Sequence, residues 1–248
     1  MKRRRALVTG ASSGLGAHFA GLLAREGIGT LWLAARSEAR LEATLRRCRE
    51  AGAGDVRPLA LDVTDAAGLA ASFARIGEAG GLDLLVNNAG IAETAPALEV
   101  DPAGFDRVLD TNLRGAWLCA TEAARLMRGS GGDIVNIASI LGLRVAGGVA
   151  PYAISKAGLV QMTRALAVEW ARHGIRVNAL APGYVETELN RDFFATEAGA
   201  ALVRRIPMRR LGRPEDLDAP FLLLASGAST WLTAAVLTVD GGHHASPL

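Results

Sequence analysis

Three residues in "IASILGLRVAGGVAPYAISKAG" (137–158) carry side chains suited to proton transfer: Ser139, Tyr152 and Lys156. Tyr152 and Lys156 stand four apart at the start of a helical pattern, and so share one face. A free tyrosine titrates near 10 and is a poor base at neutral pH. A neighbouring ammonium favours the phenolate, and a lowering of about 3 units corresponds to roughly 4 kcal/mol of differential interaction. A phenol tuned in this way passes a proton to or from a carbonyl or alcohol oxygen. Ser139 closes the preceding strand, where its hydroxyl can hydrogen-bond the same oxygen. The bland alternative is an ordinary surface Tyr–Lys pair. The serine 13 residues upstream, in a chain patterned as follows, argues against it.

Short apolar runs alternate with helical patterns. The runs "RALVTG" (5–10), "TLWLAA" (30–35), "VRPLALDV" (56–63), "LDLLVNNAG" (82–90), "GDIVNIAS" (132–139), "IRVNALAP" (175–182) and "AVLTVDGG" (235–242) read as strands. Between them, residues 16–27, 38–52, 66–80, 103–128 and 152–173 repeat apolar positions at three and four residues, several ending at Gly27, Gly52, Gly80 or Gly174. Apolar strands separated by helices imply a parallel sheet buried on both faces. The expected fold is one α/β domain over residues 1–248: a doubly wound Rossmann unit with a seven-stranded parallel sheet flanked by helices. In such sheets ligands sit outside the carboxyl ends of the strands. Polar residues gather there: Thr9-Gly10, Arg36, Asp62, Asn87-Asn88, Ser139 and Pro182-Gly183.

"TGASSGLG" (9–16) follows the first strand and holds Gly10, Gly14 and Gly16. Read functionally, one glycine permits the sharp turn, another lets the backbone approach a pyrophosphate, and the last lets the helix pack close to the sheet. A helix starting near Leu15 then turns its free N–H groups toward the anion. A plain strand-to-helix turn is the alternative, which agreement with the other strand ends makes the weaker one. An acid about 20 residues on would hold the ribose of NAD, whereas an arginine suits a 2′-phosphate. "LAARSEAR" has Ala35 where an acid is expected, then Arg36, so NADP is favoured over NAD.

The 248 residues are half hydrophobic and 21% charged, with a formal net charge of +2. No global field argues for nucleic acid, and no Cys/His spacing suggests a nucleic-acid-binding zinc module. The run Lys2-Arg3-Arg4-Arg5 reads as a solvated lead-in to the first strand. Cys48 and Cys119, each in a helical stretch, fit free thiols in a reducing compartment. No leader pattern or long uninterrupted apolar run appears, so a cytoplasmic, soluble protein without a membrane span is expected. His173, His243 and His244 are scattered without a metal-binding pair, no metal is expected, and His18 is expected to face solvent.

The chain resembles the short-chain dehydrogenase/reductase family, the branch of about 250 residues. The likeness runs from Ala6 to Gly242 through "TGASSGLG", "LDVTD", "NNAG", "TNLRG", "IAS", "PYAISKAG", "APGYVETEL" and "LTVDGG". The resemblance implies that Tyr152 is the acid/base, Lys156 lowers its pKa and binds the nicotinamide ribose, and Ser139 orients the substrate. Asn112 would complete the catalytic set by holding a helix carbonyl and water in a proton relay; the residues alone mark it only as a polar group inside a helix. Ser12, Ser13 and Leu15 would join the three glycines around the cofactor. Asp62 and Val63 would flank the adenine, and Asn88, Ala89 and Gly90 would border the cofactor. Pro182, Gly183, Val185 and Thr187 would fix the nicotinamide amide.

The resemblance also implies a homotetramer packed through 103–128 and 152–173. Leu159, Met162, Leu166 and Trp170 are compatible with that, or with core packing inside one subunit. Substrate-facing segments would be Ile91-Ala92-Glu93, 141–150 and a lip over 188–206, mostly small and apolar, which fits a hydrophobic cleft. Arg144 could hold a carboxylate or phosphate, but a solvated loop arginine is the simpler reading. The expected activity is NADP(H)-dependent hydride transfer between nicotinamide and a small-molecule carbonyl or secondary alcohol. Arginines in "VRRIPMRR" (203–210) keep a 3-oxoacyl-(acyl-carrier-protein or CoA) reductase as an alternative. A non-catalytic NADP-binding sensor is a further one.

Overall fold

The computed structural model describes residues 1–187 and 191–245. The chain begins with a strand, β1 (Arg5–Thr9), then α1 (Gly14–Arg25), β2 (Thr30–Ala35) and α2 (Glu42–Glu50). Next come β3 (Asp55–Ala60), α3 (Ala66–Glu78), β4 (Leu84–Asn87) and α4 (Pro102–Leu109). A π-turn, Asp110–Arg114, joins α4 to α5 (Gly115–Met127), and β5 (Gly132–Ile137) and α6 (Ala150–Trp170) follow. The last part holds β6 (Ile175–Pro182), the short α7 (Arg191–Phe194) and α8 (Glu197–Val203), α9 (Asp218–Ala225) and β7 (Val236–Val239).

All seven strands pair in parallel in the order β3-β2-β1-β4-β5-β6-β7. Alternate strand residues feed opposite faces, as the two-residue pleat requires. Ala6, Val8, Leu31, Leu33 and Val86 pack under α1, α2 and α9; Leu7, Trp32, Leu85 and Ile134 pack under α3, α5 and α6. Strand order reverses between β1 and β4, and a ligand crevice belongs at their carboxyl ends.

The expected strands all form, but the longer ones stop early. β3 ends at Ala60, two residues before Asp62, and β5 at Ile137, two before Ser139. β4 ends at Asn87 because the Thr9 hydroxyl takes the Asn88 and Ala89 amides, at 3.0 and 3.1 Å, out of the ladder.

The N-terminal basic run is not simply solvated. Arg4 donates to Ala225 O at 2.5 Å, Asp83 O at 2.7 Å and the Asp133 carboxylate at 2.5 Å. Asp133 also lies 2.7 Å from Arg176, and Arg5 forks onto Asp83 at 2.8 and 2.9 Å. A part-buried carboxylate just before β4 and a buried one in β5 therefore recruit these arginines. His18 likewise does not face solvent: Nε2 sits 2.5 Å from Asp218, tying α1 to α9, where Phe19 stacks on Phe221. Leu159, Met162 and Leu166 lie in this subunit's own core, so core packing accounts for them. Cys48 and Cys119 are buried free thiols, pushed by burial to about 11 and about 12. Among the described residues no helix is long and apolar enough to cross a membrane, and no group of acids, histidines and cysteines could hold a metal.

Candidate active site

A cleft of about 580 Å³ opens where β1, β2, β3 and β4 end, at the switch in strand order. It gathers Gly10, Ser12, Ser13, Gly14, Leu15, Arg36, Asp62, Val63, Asn88, Ala89 and Gly90. Gly10 and Gly14 take positive φ, +64° and +53°, and a Cβ at Gly14 would meet nothing within 4 Å, so the loop faces open space there. Ser13 stands extended before α1, leaving the first amides of that helix without helical partners. This is a cradle suited to an anion. Gly16 does not line the cleft; a Cβ there would lie 2.2 Å from Gly10 O and 2.4 Å from Asn88 Nδ2. Its smallness lets α1 close onto the loop.

Arg36 is exposed at the cleft wall, with Arg40 beside it. Arg40 was missed in the sequence, although "RSEAR" places it one helical turn after Arg36. Asp62 accepts from Thr64 N at 2.9 Å and Thr64 Oγ1 at 2.8 Å. The Thr64 amide, chiefly, holds its carboxyl below the usual range, with Arg36 adding a smaller pull. A fixed carboxylate turned toward Thr64 leaves the two guanidiniums for an anionic ligand. Thr9, Arg107, Asp110 and Thr111 also line the cleft; Arg107 and Asp110 belong to no pattern in the sequence.

Tyr152 and Lys156 occupy the first two turns of α6, and Ser139 faces them from the turn after β5. The Ser139 hydroxyl oxygen accepts the Leu141 amide at 3.1 Å, which leaves its proton free to favour the Tyr152 phenolate. Lys156 is 4% exposed, donates to Ile137 O at 2.8 Å, and stands 5.6 Å from the Tyr152 ring centre. Burial pushes the lysine down to about 8. The expected lowering of the phenol is not produced by the protein alone. Burial pushes Tyr152 up, and the Ser139 hydrogen bond only opposes that. Lys156 turns its proton to the Ile137 carbonyl rather than to the phenol oxygen.

Asn112 sits inside the π-turn, a distortion frequent at functional sites. Its oxygen accepts the Ile91 amide at 2.8 Å, and its Nδ2 donates to Ile91 O at 2.8 Å and Ser155 Oγ at 3.0 Å. Ser155 in turn donates to Tyr152 O at 2.7 Å. The side chain thus joins the strand-end loop, the π-turn and the first turn of α6. A Cβ on Gly90 would lie 3.2 Å from Asn112 Oδ1 and 3.6 Å from Lys156 Nζ, so the cleft runs up to this group.

A family model described as enoyl-(acyl carrier protein) reductase, one of the short-chain dehydrogenase/reductase models, matches residues 10–244. The chain belongs to the short-chain dehydrogenase/reductase family. A cis-4-hydroxycyclohexanecarboxylate dehydrogenase of Sinomonas cyclohexanicum is 42% identical over 245 residues, covering 98% of this chain and 97% of that one. The solved gluconate 5-dehydrogenase of Burkholderia cenocepacia J2315, in complex with NADP and tartrate, is 34% identical with a TM-score of 0.94, covering 100% and 97%. A Beutenbergia cavernae structure with bound NADP, provisionally assigned as an NAD(P)-dependent gluconate 5-dehydrogenase, is 39% identical with a TM-score of 0.92, covering 98% and 97%.

In this dehydrogenase/reductase the remaining expected residues lie apart from the main cleft. Pro182 ends β6, and Gly183 packs where a Cβ would lie 2.6 Å from that of Asp240. Val185 bridges to Gly212 and, with Tyr184, lines a second cavity of about 320 Å³. Thr187 follows at the edge of the described segment, and the first three residues of the expected lip, 188–190, lie outside the described residues. Arg144 is not simply a solvated loop arginine: its guanidinium donates to the His243 carbonyl.

Proposed function

We propose that this protein is an NADP(H)-dependent oxidoreductase that interconverts a small-molecule carbonyl and a secondary alcohol. The observation that carries the reading is buried Lys156, 5.6 Å from the Tyr152 ring centre and with Ser139 in the turn after β5 facing both, where a glycine-built anion cradle ends at Gly90. NADP bound in two structural relatives, and the alcohol dehydrogenases among the relatives, support it.

The site fits the cofactor: Gly10, Ser12, Ser13, Gly14 and Leu15 would cradle the pyrophosphate, Arg36 and Arg40 the 2′-phosphate, and Asp62 and Val63 the adenine. Asn88, Ala89, Gly90 and Lys156 would border the ribose toward nicotinamide, with Pro182, Gly183, Val185 and Thr187 on its amide. When bound, the nicotinamide supplies or accepts the hydride. Tyr152 then exchanges the proton at the substrate oxygen, and Ser139 donates a hydrogen bond to that same atom. Lys156 keeps a positive charge beneath the phenol in the direction that forms phenolate. Asn112 acts by holding Ile91 and Ser155, and through Ser155 the first turn of α6.

The acyl-carrier alternative has weaker support, because Arg210 is paired with Asp216 and Arg209 with the Arg204 carbonyl. A homotetramer is part of the proposal, since Trp117, Ile154 and Val168 remain exposed on α5 and α6. Two buried free thiols support a reducing, cytoplasmic setting.

The test is NADPH oxidation followed by absorbance across cyclic ketones, keto-sugars and 3-oxo thioesters. Turnover of a ketone or sugar is expected; tight NADPH binding with no turnover of any compound would favour the sensor instead. Two variants probe the cofactor site. In wild type kcat/KM should favour NADPH over NADH. Arg36→Ala should cut that preference about 10- to 100-fold, the worth of one or two charge-assisted hydrogen bonds; an unbiased wild type would refute the assignment of Arg36. Gly16→Ala should weaken NADPH binding at least about 10-fold in a fluorescence titration, since its methyl meets backbone that cannot yield.

A further inference from the structure

We infer that Arg144, Tyr184 and His243 form an anchor for a carboxylate carried by the substrate, set beside Tyr152. The inference rests on the reading that the substrate's carbonyl or carbinol meets Tyr152.

Arg144 lies in the turn that follows Ser139. Its amide donates to Ile140 O at 2.8 Å, within the turn that Ser139 caps. The guanidinium is half-buried and donates one N–H to the His243 carbonyl. Among the described residues it pairs with no carboxylate. Asp240, the acid of this neighbourhood, is already engaged by Gly242 N at 2.9 Å, His244 N at 2.6 Å and His244 Nδ1 at 2.8 Å. A half-buried guanidinium that pairs with no carboxylate among the described residues retains donors suited to a planar bidentate acceptor.

Two further groups adjoin it. The Tyr184 ring centre lies 5.5 Å from that of His243, and Arg144 draws the Tyr184 phenol down while burial pushes it up. Tyr184 also opposes the ionisation of Tyr152, more weakly than burial does. His243 is 7% exposed, and its Nδ1 has no hydrogen-bond partner among the described residues. Burial, with Arg144 and Arg205 nearby, holds this imidazole neutral at physiological pH. A buried polar atom without a partner is uncommon and points to a group that completes it.

The balance of charge selects the ligand. With Asp240 offsetting Arg205, Arg144 beside a neutral phenol and a neutral imidazole leaves a single positive charge, which a carboxylate neutralises. A phosphate dianion would leave a negative charge poorly compensated in a half-buried site.

The experiment compares matched probes that differ in one charge. Reduction of 4-oxocyclohexanecarboxylate is measured against 4-oxocyclohexanecarboxamide with NADPH. Binding of cyclohexanecarboxylate is measured against cyclohexanecarboxamide by titration calorimetry on the NADP-loaded protein. Wild type should prefer the acid at least about 10-fold in both kcat/KM and Kd, the worth of one charged hydrogen bond. Arg144→Met should bring both ratios close to one, Arg144→Lys should restore part of the preference, and Tyr184→Phe should lower it severalfold. Melting curves identify any variant that fails to fold, and Arg144→Lys and Tyr184→Phe then carry the comparison. Equal use of acid and amide by wild type, or a preference surviving in Arg144→Met, would overturn the anchor while leaving the oxidoreductase standing. Preferential binding of the acid without turnover of either ketone would support the anchor and count against the reaction.

Discussion

Tyr152→Phe should lower kcat for ketone reduction by about 10²- to 10⁴-fold, the usual worth of a positioned proton donor. The ring and its packing stay, so NADPH affinity should change little. In the protein alone burial holds the phenol above its ordinary value, and it therefore stays protonated through neutral pH. Reduction needs that proton. Its kcat/KM with NADPH should accordingly be flat near neutrality and fall only on the alkaline side, whereas alcohol oxidation should rise with pH as phenolate becomes available. Steady-state rates in both directions across pH, with NADPH binding measured separately, check this. Turnover in Tyr152→Phe within a few-fold of wild type would mean that another group moves the proton.

The second large effect lies at the opposite end of the sheet. Asp133→Ala removes a carboxylate that is 2% exposed and contacts both Arg4 and Arg176. The two guanidiniums, 18% and 22% exposed, would be left without their shared counter-charge. Removing one partner of a buried ion pair costs about 3–5 kcal/mol. At about 2–4 °C per kcal/mol for a chain of this size, Tm should fall by roughly 6–20 °C. Because the clamp is at the amino ends of the strands, kcat at 25 °C should be nearly unchanged. A melting scan with an activity assay separates the two. A Tm within about 2 °C of wild type would show that the clamp contributes little.

The sheet could be read from the chain because its signal is local. Each buried strand is an apolar run, and glycines with positive φ do stand after the helices at Gly27, Gly52, Gly80 and Gly174. Strand ends were read too long where apolar residues continue into a loop whose amides are claimed from afar, as Thr9 does at Asn88. The cofactor loop was legible as a spacing of glycines, and the structure separates their duties: Gly14 faces the opening while Gly16 serves contact between helix and loop. Other features depend on partners far along the chain. Arg4 reads as a solvated charge until Asp133, 129 residues away, arrives beside it, and His18 looked free until Asp218 did. Asn112 carries no local signal because its partners, Ile91 and Ser155, come from two other segments. The ionisation of Tyr152 depends on its surroundings in a similar way, since in the protein alone burial pushes the phenol up. Spacing reveals a neighbouring ammonium but neither the burial around both groups nor the carbonyl to which the ammonium turns.

The π-turn also keeps time for the rod formed by α4 and α5. Inward residues recur at every fourth position through it: Gly104, Val108, Asn112, Ala116 and Ala120. In a regular α-helix each four-residue step overshoots a full turn by about 40°, so such a row would drift away from the sheet. The wider turn at Asp110–Arg114 absorbs the accumulated excess and resets the phase. Lengthening or shortening this stretch by one residue would rotate α5 by about 100° relative to α4. Either Asn112 or the alanine seam of α5 would then face the wrong way. The residue count between Val108 and Ala116 is therefore as much a part of the site as the residues themselves.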